Sequence, residues 1–311
     1  MARKVLVSAP YIIPVLDDYR ENFLRRGIEL VVPRVKERLS EEELLPLVGD
    51  IDGAICGDDY FTEKVLSAAP KLKVISKWGT GIDSIDVETC ARLGIAVRNT
   101  PNAFSEPVAD SVFGYILTFA RRMTDIQYVM RFGGWNKLPC RALNECTLGV
   151  IGVGNVGKAV IHRAHGFGIR VFANDIIKIP RSFTRYYGVD MMPLSYVLSF
   201  SDFITIHCTL NPTSYHLLGL EDLKLIKPTS YLINTARGPI IDESALIKVL
   251  ERGWIAGAAL DVFEEEPLPT DSPLRNMSNV LLSPHNANSS RTAWERVHRS
   301  TIAHLFEELD K

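Results

Sequence analysis

Cysteine is sparse. Five residues, Cys56, Cys90, Cys140, Cys146 and Cys208, are scattered through 311, with no Cys-x-x-Cys pair and no His-x-x-x-His spacing. That argues against a disulfide framework and a four-ligand zinc site, so free thiols and no metal are expected. Long apolar runs are missing too: Leu148 to Val153 is among the longest, far short of the roughly 20 residues a membrane-spanning helix needs. No membrane association is expected. The first apolar stretch, Val5-Leu6-Val7, meets Pro10 too soon for a secretory signal, which makes the cytoplasm the expected location. Nor is there an excess of one charge. With 35 basic and 37 acidic residues interspersed and a net charge of −2, no single-sign field steers the chain onto nucleic acid or an anionic membrane. Repeats and low-complexity tracts are also absent.

What is present is the material of a globular protein. Apolar residues make up 46% and charged residues 23%, and the length suits two domains of ordinary size. Short β-branched runs alternate with stretches of helical spacing. In the first third the predicted strands are Lys4–Ala9, Ile28–Val32, Gly53–Cys56, Leu72–Ser76 and Ile95–Asn99; the second series is Thr147–Gly152, Ile169–Ala173, Phe203–His207, Tyr231–Asn234, Ile255–Leu260 and Val280–Ser283. Strands that are apolar throughout, separated by helices, specify parallel sheets covered on both faces. An amphipathic segment, Ser105 to Arg122, links the two series, and Phe132-Gly133-Gly134-Trp135-Asn136 reads as a glycine-rich turn. A last helix, Arg291 to Leu309, carries an apolar stripe that needs a surface to cover; periodicity alone leaves open which unit it joins.

Gly152-Val153-Gly154-Asn155-Val156-Gly157 follows an apolar strand and opens a helical stretch, Lys158 to His165. In that setting the first glycine permits a tight turn. The second, Gly154, lets backbone approach a pyrophosphate, and the third, Gly157, lets helix and strand pack closely, with the phosphates at the helix N-terminus. The next predicted strand runs into Asp175, 18 residues beyond Gly157 and 23 beyond Gly152, where a carboxylate can accept from an adenosine ribose. NAD is therefore the expected cofactor, preferred over NADP because Asp175 would repel a 2′-phosphate, with Lys178 and Arg181 downstream acting against that preference. A strand-end cap is the plainer role for Asp175.

Three more segments sit at the carboxyl ends of predicted strands, where ligands bind in open α/β sheets: Asn234-Thr235-Ala236-Arg237-Gly238, Leu260-Asp261-Val262-Phe263-Glu264-Glu265-Glu266-Pro267 and Ser283-Pro284-His285-Asn286. Together with Gly79-Thr80-Gly81-Ile82-Asp83-Ser84-Ile85-Asp86, Asn99-Thr100-Pro101 and Val108-Ala109-Asp110, they make nearly the whole chain resemble the D-isomer-specific 2-hydroxyacid dehydrogenases. The resemblance implies an α/β protein with a Rossmann NAD-binding domain, residues 101–286, inserted in a flavodoxin-like α/β substrate domain, residues 1–100 and 287–311. It also implies a homodimer formed through the NAD-binding domain, and hydride exchange between NAD and a small 2-hydroxy or 2-oxo acid. On that basis Arg237 would hold the substrate's carboxylate and carbonyl, as a guanidinium fork can. His285 would be the acid/base. Glu266 would fix its tautomer and keep it protonated near neutrality. The turn Trp78-Gly79-Thr80-Gly81 would offer backbone amides to the carboxylate, Asp261 would hold the nicotinamide carboxamide, and Cys208, Thr235, Ala236 and Thr80 would line the cofactor. The remaining histidines, His162, His165, His207, His216, His298 and His304, read as structural or exposed, and Glu264 and Glu265 as solvent-facing.

The pattern departs from the family at three places. Phosphoglycerate-specific members often carry an arginine after the third strand, where this chain has Cys56-Gly57-Asp58-Asp59; Lys77 could answer a phosphate there only as a point charge. Asp110 replaces a usual glutamate. The chain ends before any appended regulatory domain, so serine feedback is not expected. Two rival readings share the fold: an NAD-sensing scaffold of the corepressor type, and a formate- or phosphite-type dehydrogenase with a smaller pocket.

Overall fold

The computed structural model describes residues 2–311, which fall into two compact units: residues 2–104 with Ser290–Lys311, and Ser105–Ser289. These cuts lie a few residues beyond those expected at 100/101 and 286/287. The reason is local. Arg296 donates to the Ala103 carbonyl at 2.6 Å, which ties that segment to the first unit, while Ala287 is bonded back to Asp261 and Ser111 in the second.

The first unit contains β1 (Arg3–Val7), β2 (Ile28–Val31), β3 (Gly53–Cys56), β4 (Val74–Lys77) and β5 (Ala96–Arg98) in one parallel sheet of order β2-β1-β3-β4-β5. That is the flavodoxin-like order, with its reversal between β1 and β3. β3 and β4 are buried along their whole length, which accounts for the apolar run of β3, while β4 ends on the buried polar residues Ser76 and Lys77. The terminal helix, Arg291–Leu309, starts on a Ser290 cap whose hydroxyl accepts from the Ala293 amide and lies on this sheet. Ser76 donates to the Thr301 carbonyl at 2.7 Å. Val297, Ile302, Leu305 and Leu309 are buried, each contributing about 1.5–3 kcal/mol relative to exposure. Leu305 approaches Gly53 so closely that a β-carbon there would lie 2.9 Å from its Cδ1.

The second unit contains β6 (Thr147–Ile151), β7 (Arg170–Asn174), β8 (Val189–Met191), β9 (Phe203–Ile206), β10 (Tyr231–Asn234), β11 (Gly257–Leu260) and β12 (Val280–Leu282), all parallel in the order β12-β11-β10-β9-β6-β7-β8. The order reverses between β6 and β9, the point at which such sheets bind dinucleotides. Two elements were not expected. β8 is a three-residue edge strand, Val-Asp-Met, too short to carry a periodic signal. The segment after Ala120 does not run straight into the glycine-rich turn; it forms a helix, Met123–Arg131, none of whose residues is buried. Asp110 pairs with Arg163 at 2.7 Å, and Arg163 also holds Glu106 at 2.8 Å, so the shorter acid still ties the helix Ser105–Ala120 to the helix Asn155–Gly166. Among the described residues, no helix is long and apolar enough to cross a membrane.

Candidate active site

The glycine motif folds as the turn from β6 into the helix Asn155–Gly166. Gly152 has φ +92°, and a β-carbon on it would lie 2.5 Å from the Cys208 amide nitrogen. Gly157 is more confined still, its added β-carbon falling 2.1 Å from the Gly152 carbonyl oxygen. Gly154 is different: nothing lies within 4 Å of the position its side chain would take. The turn therefore keeps open space above one glycine and closes tightly around the other two. The helix behind it begins on that glycine with no side-chain cap, so the first amides, from Asn155, Val156 and Gly157, have no intrahelical acceptor. An open backbone cradle at an uncapped helix N-terminus fits a pyrophosphate.

Asp175 stands just past β7 and does two things at once. One carboxylate oxygen accepts from the Val153 amide at 2.6 Å and the other from the Ile177 amide at 2.9 Å. The cap expected as its plainer role is thus present, and it fastens the glycine turn to the end of β7. Each oxygen keeps a further lone pair for a ribose hydroxyl. A cavity of about 470 Å³ opens beside it, lined by Ile177, Lys178, Arg181, Asp190 and Met192 among others.

Past β9, His207 is held neutral. Burial pushes its pKa down to about 3, and its Nε2 meets the Thr205 hydroxyl at 2.9 Å. Burial also pushes the Cys208 thiol up to about 11, which leaves it a protonated, apolar lining at neutral pH.

The loops after β10, β11 and β12 leave three adjacent strands, and buried polar side chains shape each. Asn234 is buried at the end of β10; its Oδ1 accepts from the Ala236 amide at 3.0 Å and its Nδ2 donates to the Arg237 carbonyl at 2.9 Å. That clamp forms the turn that presents Arg237, whose guanidinium is half-buried and donates to the Ala236 carbonyl at 2.8 Å. Gly238 touches the next loop so closely that a β-carbon on it would overlap the Phe263 carbonyl carbon at 1.9 Å. Thr235 contributes a buried hydroxyl with no hydrogen-bond partner. A buried hydroxyl left so costs about 1–3 kcal/mol unless a ligand answers it.

On the loop after β11, Glu266 accepts from the Phe263 amide through Oε1 at 3.0 Å, while its Oε2 lies 3.0 Å from His285 Nδ1. Both side chains are mostly buried, at 12% and 19% exposure, so the pair works in a medium less screening than water. His285 has φ +51°, an uncommon conformation for a residue with a side chain. Asp261 holds it. That carboxylate, at the end of β11, accepts from the Asn286 amide at 2.8 Å and the Ala287 amide at 2.9 Å, and the Asp261 carbonyl accepts from the His285 amide at 2.8 Å. Its visible work is on the histidine loop, which the expected contact with a carboxamide did not include. Asn234 and Asp261 were legible as motif members, but their part in shaping loops shows only in the structure.

In the first unit, the Trp78–Gly81 turn follows β4. Gly79 has φ +123°, and its carbonyl accepts from the Thr100 amide at 2.8 Å. Thr80 donates through its hydroxyl to the Thr100 carbonyl at 3.0 Å. The Trp78 indole donates to His298 Nδ1 at 2.9 Å and packs with Tyr11, Phe104 and Trp294. Lys77 is 4% exposed, its Nζ lies 3.1 Å from an Asp58 carboxylate oxygen, and it donates to the Trp78 carbonyl. With its charge already answered, it is no ready partner for a phosphate. Glu264 is exposed, as expected, and its carboxylate pairs with His216 at 2.7 Å.

A parallel nucleotide-binding sheet whose strand ends carry an open glycine cradle, an arginine turn and a histidine–carboxylate pair belongs to a dinucleotide-dependent dehydrogenase. Comparison with known proteins agrees. The model of the D-isomer-specific 2-hydroxyacid dehydrogenase NAD-binding domain matches residues 113–287, more than half the chain. A glyoxylate reductase of Korarchaeum cryptofilum is 39% identical over 86% of this chain and 81% of its own length, and one of Thermofilum pendens 37% identical over 96% and 91%. Among solved structures, a D-lactate dehydrogenase of Aquifex aeolicus in complex with NAD and lactic acid superposes with a TM-score of 0.87 at 28% identity, over 99% of this chain and 97% of that one. The chain belongs to the D-isomer-specific 2-hydroxyacid dehydrogenases. It is an NAD-dependent oxidoreductase that interconverts 2-hydroxy acids and 2-oxo acids, and the scaffold and formate- or phosphite-type alternatives are not favoured.

Proposed function

We propose that Arg237, Glu266 and His285 are the catalytic residues of a reductase acting on a small, unphosphorylated 2-oxo acid of the glyoxylate or hydroxypyruvate kind. The observation that carries this reading is the His285–Glu266 pair, 3.0 Å apart, on a loop beside the one that presents Arg237. With Nδ1 committed to the carboxylate, Nε2 is the atom that gives a proton to the substrate's carbonyl oxygen during reduction and takes it back from the hydroxyl during oxidation. Glu266 orients the ring and stabilises its charged form. Arg237 binds the carboxylate and polarises the carbonyl. NADH, when bound, supplies the hydride that reaches C2. Its pyrophosphate is assigned to Gly152, Gly154, Asn155, Val156 and Gly157, its adenosine ribose to Asp175, and its lining to Cys208, Thr235, Ala236, Asp261 and Thr80.

The names of the archaeal relatives favour glyoxylate, and the Lys77–Asp58 pair argues against a phosphorylated substrate. Within the first unit, the Trp78–Gly79 turn is assigned a carboxylate-binding role, so that this unit serves as substrate domain and Ser105–Ser289 as NAD-binding domain. A homodimer through the second unit is supported by its exposed apolar surface around the helix Met123–Arg131, where Phe132 and Trp135 are 74% and 85% exposed. A cytoplasmic location follows from the same reading. The test is NADH consumption with glyoxylate, hydroxypyruvate, pyruvate, branched 2-oxo acids and phosphohydroxypyruvate, repeated with NADPH. Turnover of a small unphosphorylated acid supports the reading; preference for phosphohydroxypyruvate refutes the substrate assignment.

A further inference from the structure

Three residues just outside the proposed site, His216, Glu264 and Glu243, join the loop of Arg237 to the loop of Glu266. The short segment around His216 runs beside the chain that follows Arg237: the His216 amide donates to the Pro239 carbonyl at 2.8 Å, Leu218 to Ile240 at 3.1 Å, and Asp242 back to Leu218 at 3.1 Å. His216 itself is held at φ +48°, and from that position its Nε2 reaches Glu264 Oε1 at 2.7 Å. The same carboxylate oxygen accepts from the Glu243 amide at 3.1 Å, at the start of the helix Glu243–Glu251. In return the Glu264 amide donates to Glu243 Oε2, also at 3.1 Å. Glu264 is therefore fixed by its side chain and by its backbone, two residues before Glu266, while the residue that grips it is bonded two residues past Arg237.

The arrangement is costly enough to ask for a purpose. Burial and the neighbouring charges of Glu264, Glu265 and Glu266 push the Glu243 carboxyl above its usual range, and a non-glycine residue occupies a left-handed backbone conformation. A surface turn needs neither. We propose that His216, Glu264 and Glu243 are positioning residues that hold the Arg237 turn and the Glu266 loop in one register, so that the substrate clamp and the acid/base pair keep a fixed separation. This rests on the assignment of Arg237, Glu266 and His285 above. A loop free to shift by a fraction of an ångström would lose turnover before it lost cofactor binding, because the glycine cradle lies on a different strand end.

The experiment compares Glu264→Ala, Glu264→Gln, His216→Ala and Glu266→Gln with the wild-type chain, using the 2-oxo acid of the panel that it reduces best. Steady-state kcat and KM, NADH affinity by fluorescence titration and thermal midpoint are read together. Glu264→Ala and His216→Ala are expected to lower kcat roughly tenfold while NADH affinity stays within about twofold. Glu264→Gln keeps an acceptor for both donors and is expected to retain most of the activity. The proposal is overturned if both alanine variants turn over within twofold of wild type, or if Glu264→Gln falls as far as Glu264→Ala. Should Glu264→Ala fail to fold, His216→Ala and Glu264→Gln still decide the matter. Full activity in Glu266→Gln would place the fault in the catalytic assignment, whereas loss there with no effect at Glu264 and His216 would refute the positioning role alone.

Discussion

The seven-stranded sheet presents two kinds of strand end. At β6 the functional surface is backbone: three glycines and the uncapped start of a helix, with Asp175 fastening the turn from the side. At β10, β11 and β12 it is made of side chains, each set by another: Asn234 forms the Arg237 turn, Asp261 pins the His285 loop, and Glu266 is aligned by the Phe263 amide before it meets the histidine. The difference follows from the two tasks. A pyrophosphate has the same shape in every turnover and needs only amides and room. Proton transfer needs one atom of one ring at a defined place, so the ring must be oriented by groups that are themselves held.

The contrast can be broken at either end. The largest effect is expected from His285→Ala, which removes the proposed proton donor: kcat should fall by roughly 10²–10⁴ while NADH still binds, as fluorescence titration can show. Loss of NADH affinity in proportion to kcat would erase the division between the two ends. The glycines provide the complementary case. Gly157→Ala forces a β-carbon to 2.1 Å from the Gly152 carbonyl and should destabilise the fold by about 2–4 kcal/mol in chemical denaturation. Gly154→Ala places its methyl in open space, so stability should hardly change while NADH affinity drops roughly tenfold as the approach to backbone is blocked. Equal denaturation midpoints for the two variants would show that the closeness around Gly157 is not felt.

A smaller effect is expected at Asp175, where the cap and the proposed ribose contact coincide. Asp175→Ala should reduce the NADH-over-NADPH ratio of kcat/KM roughly tenfold and lower the thermal midpoint by a few degrees, since two backbone amides lose their acceptor. A lowered midpoint with an unchanged ratio would leave Asp175 as a cap only.

The two strand ends also differed in how far the chain's residues disclosed them. The glycine cradle was legible because its physics is a matter of residue type at fixed spacing, Gly152, Gly154, Gly157 and then Asp175. Arg237, Glu266 and His285 were reachable only through their positions at strand ends and a family resemblance, since an arginine, a glutamate and a histidine separated by tens of residues have no spacing rule to connect them. What the residues did not disclose was the support. Asn234 and Asp261 work through geometry that arises when β10 and β11 become neighbours, and Glu264 is a surface acid whose links to His216 and Glu243 arise only when other elements bring those residues to it. Lys77 shows the same limit: its charge was visible, while its Asp58 partner required the adjacency of β3 and β4. The edge strand β8 and the helix Met123–Arg131 escaped because neither presents a buried stripe.

The most direct test of the side-chain end is kcat of Glu266→Gln at saturating NADH and 2-oxo acid, with NADH affinity measured on the same sample. The substituted amide has one acceptor oxygen where the carboxylate has two, so it can serve the Phe263 N–H or the histidine N–H but not both, and it would no longer stabilise the ring's charge, so kcat should fall roughly a hundredfold with affinity within about twofold. Unchanged turnover, or a matching loss of NADH affinity, would contradict the account.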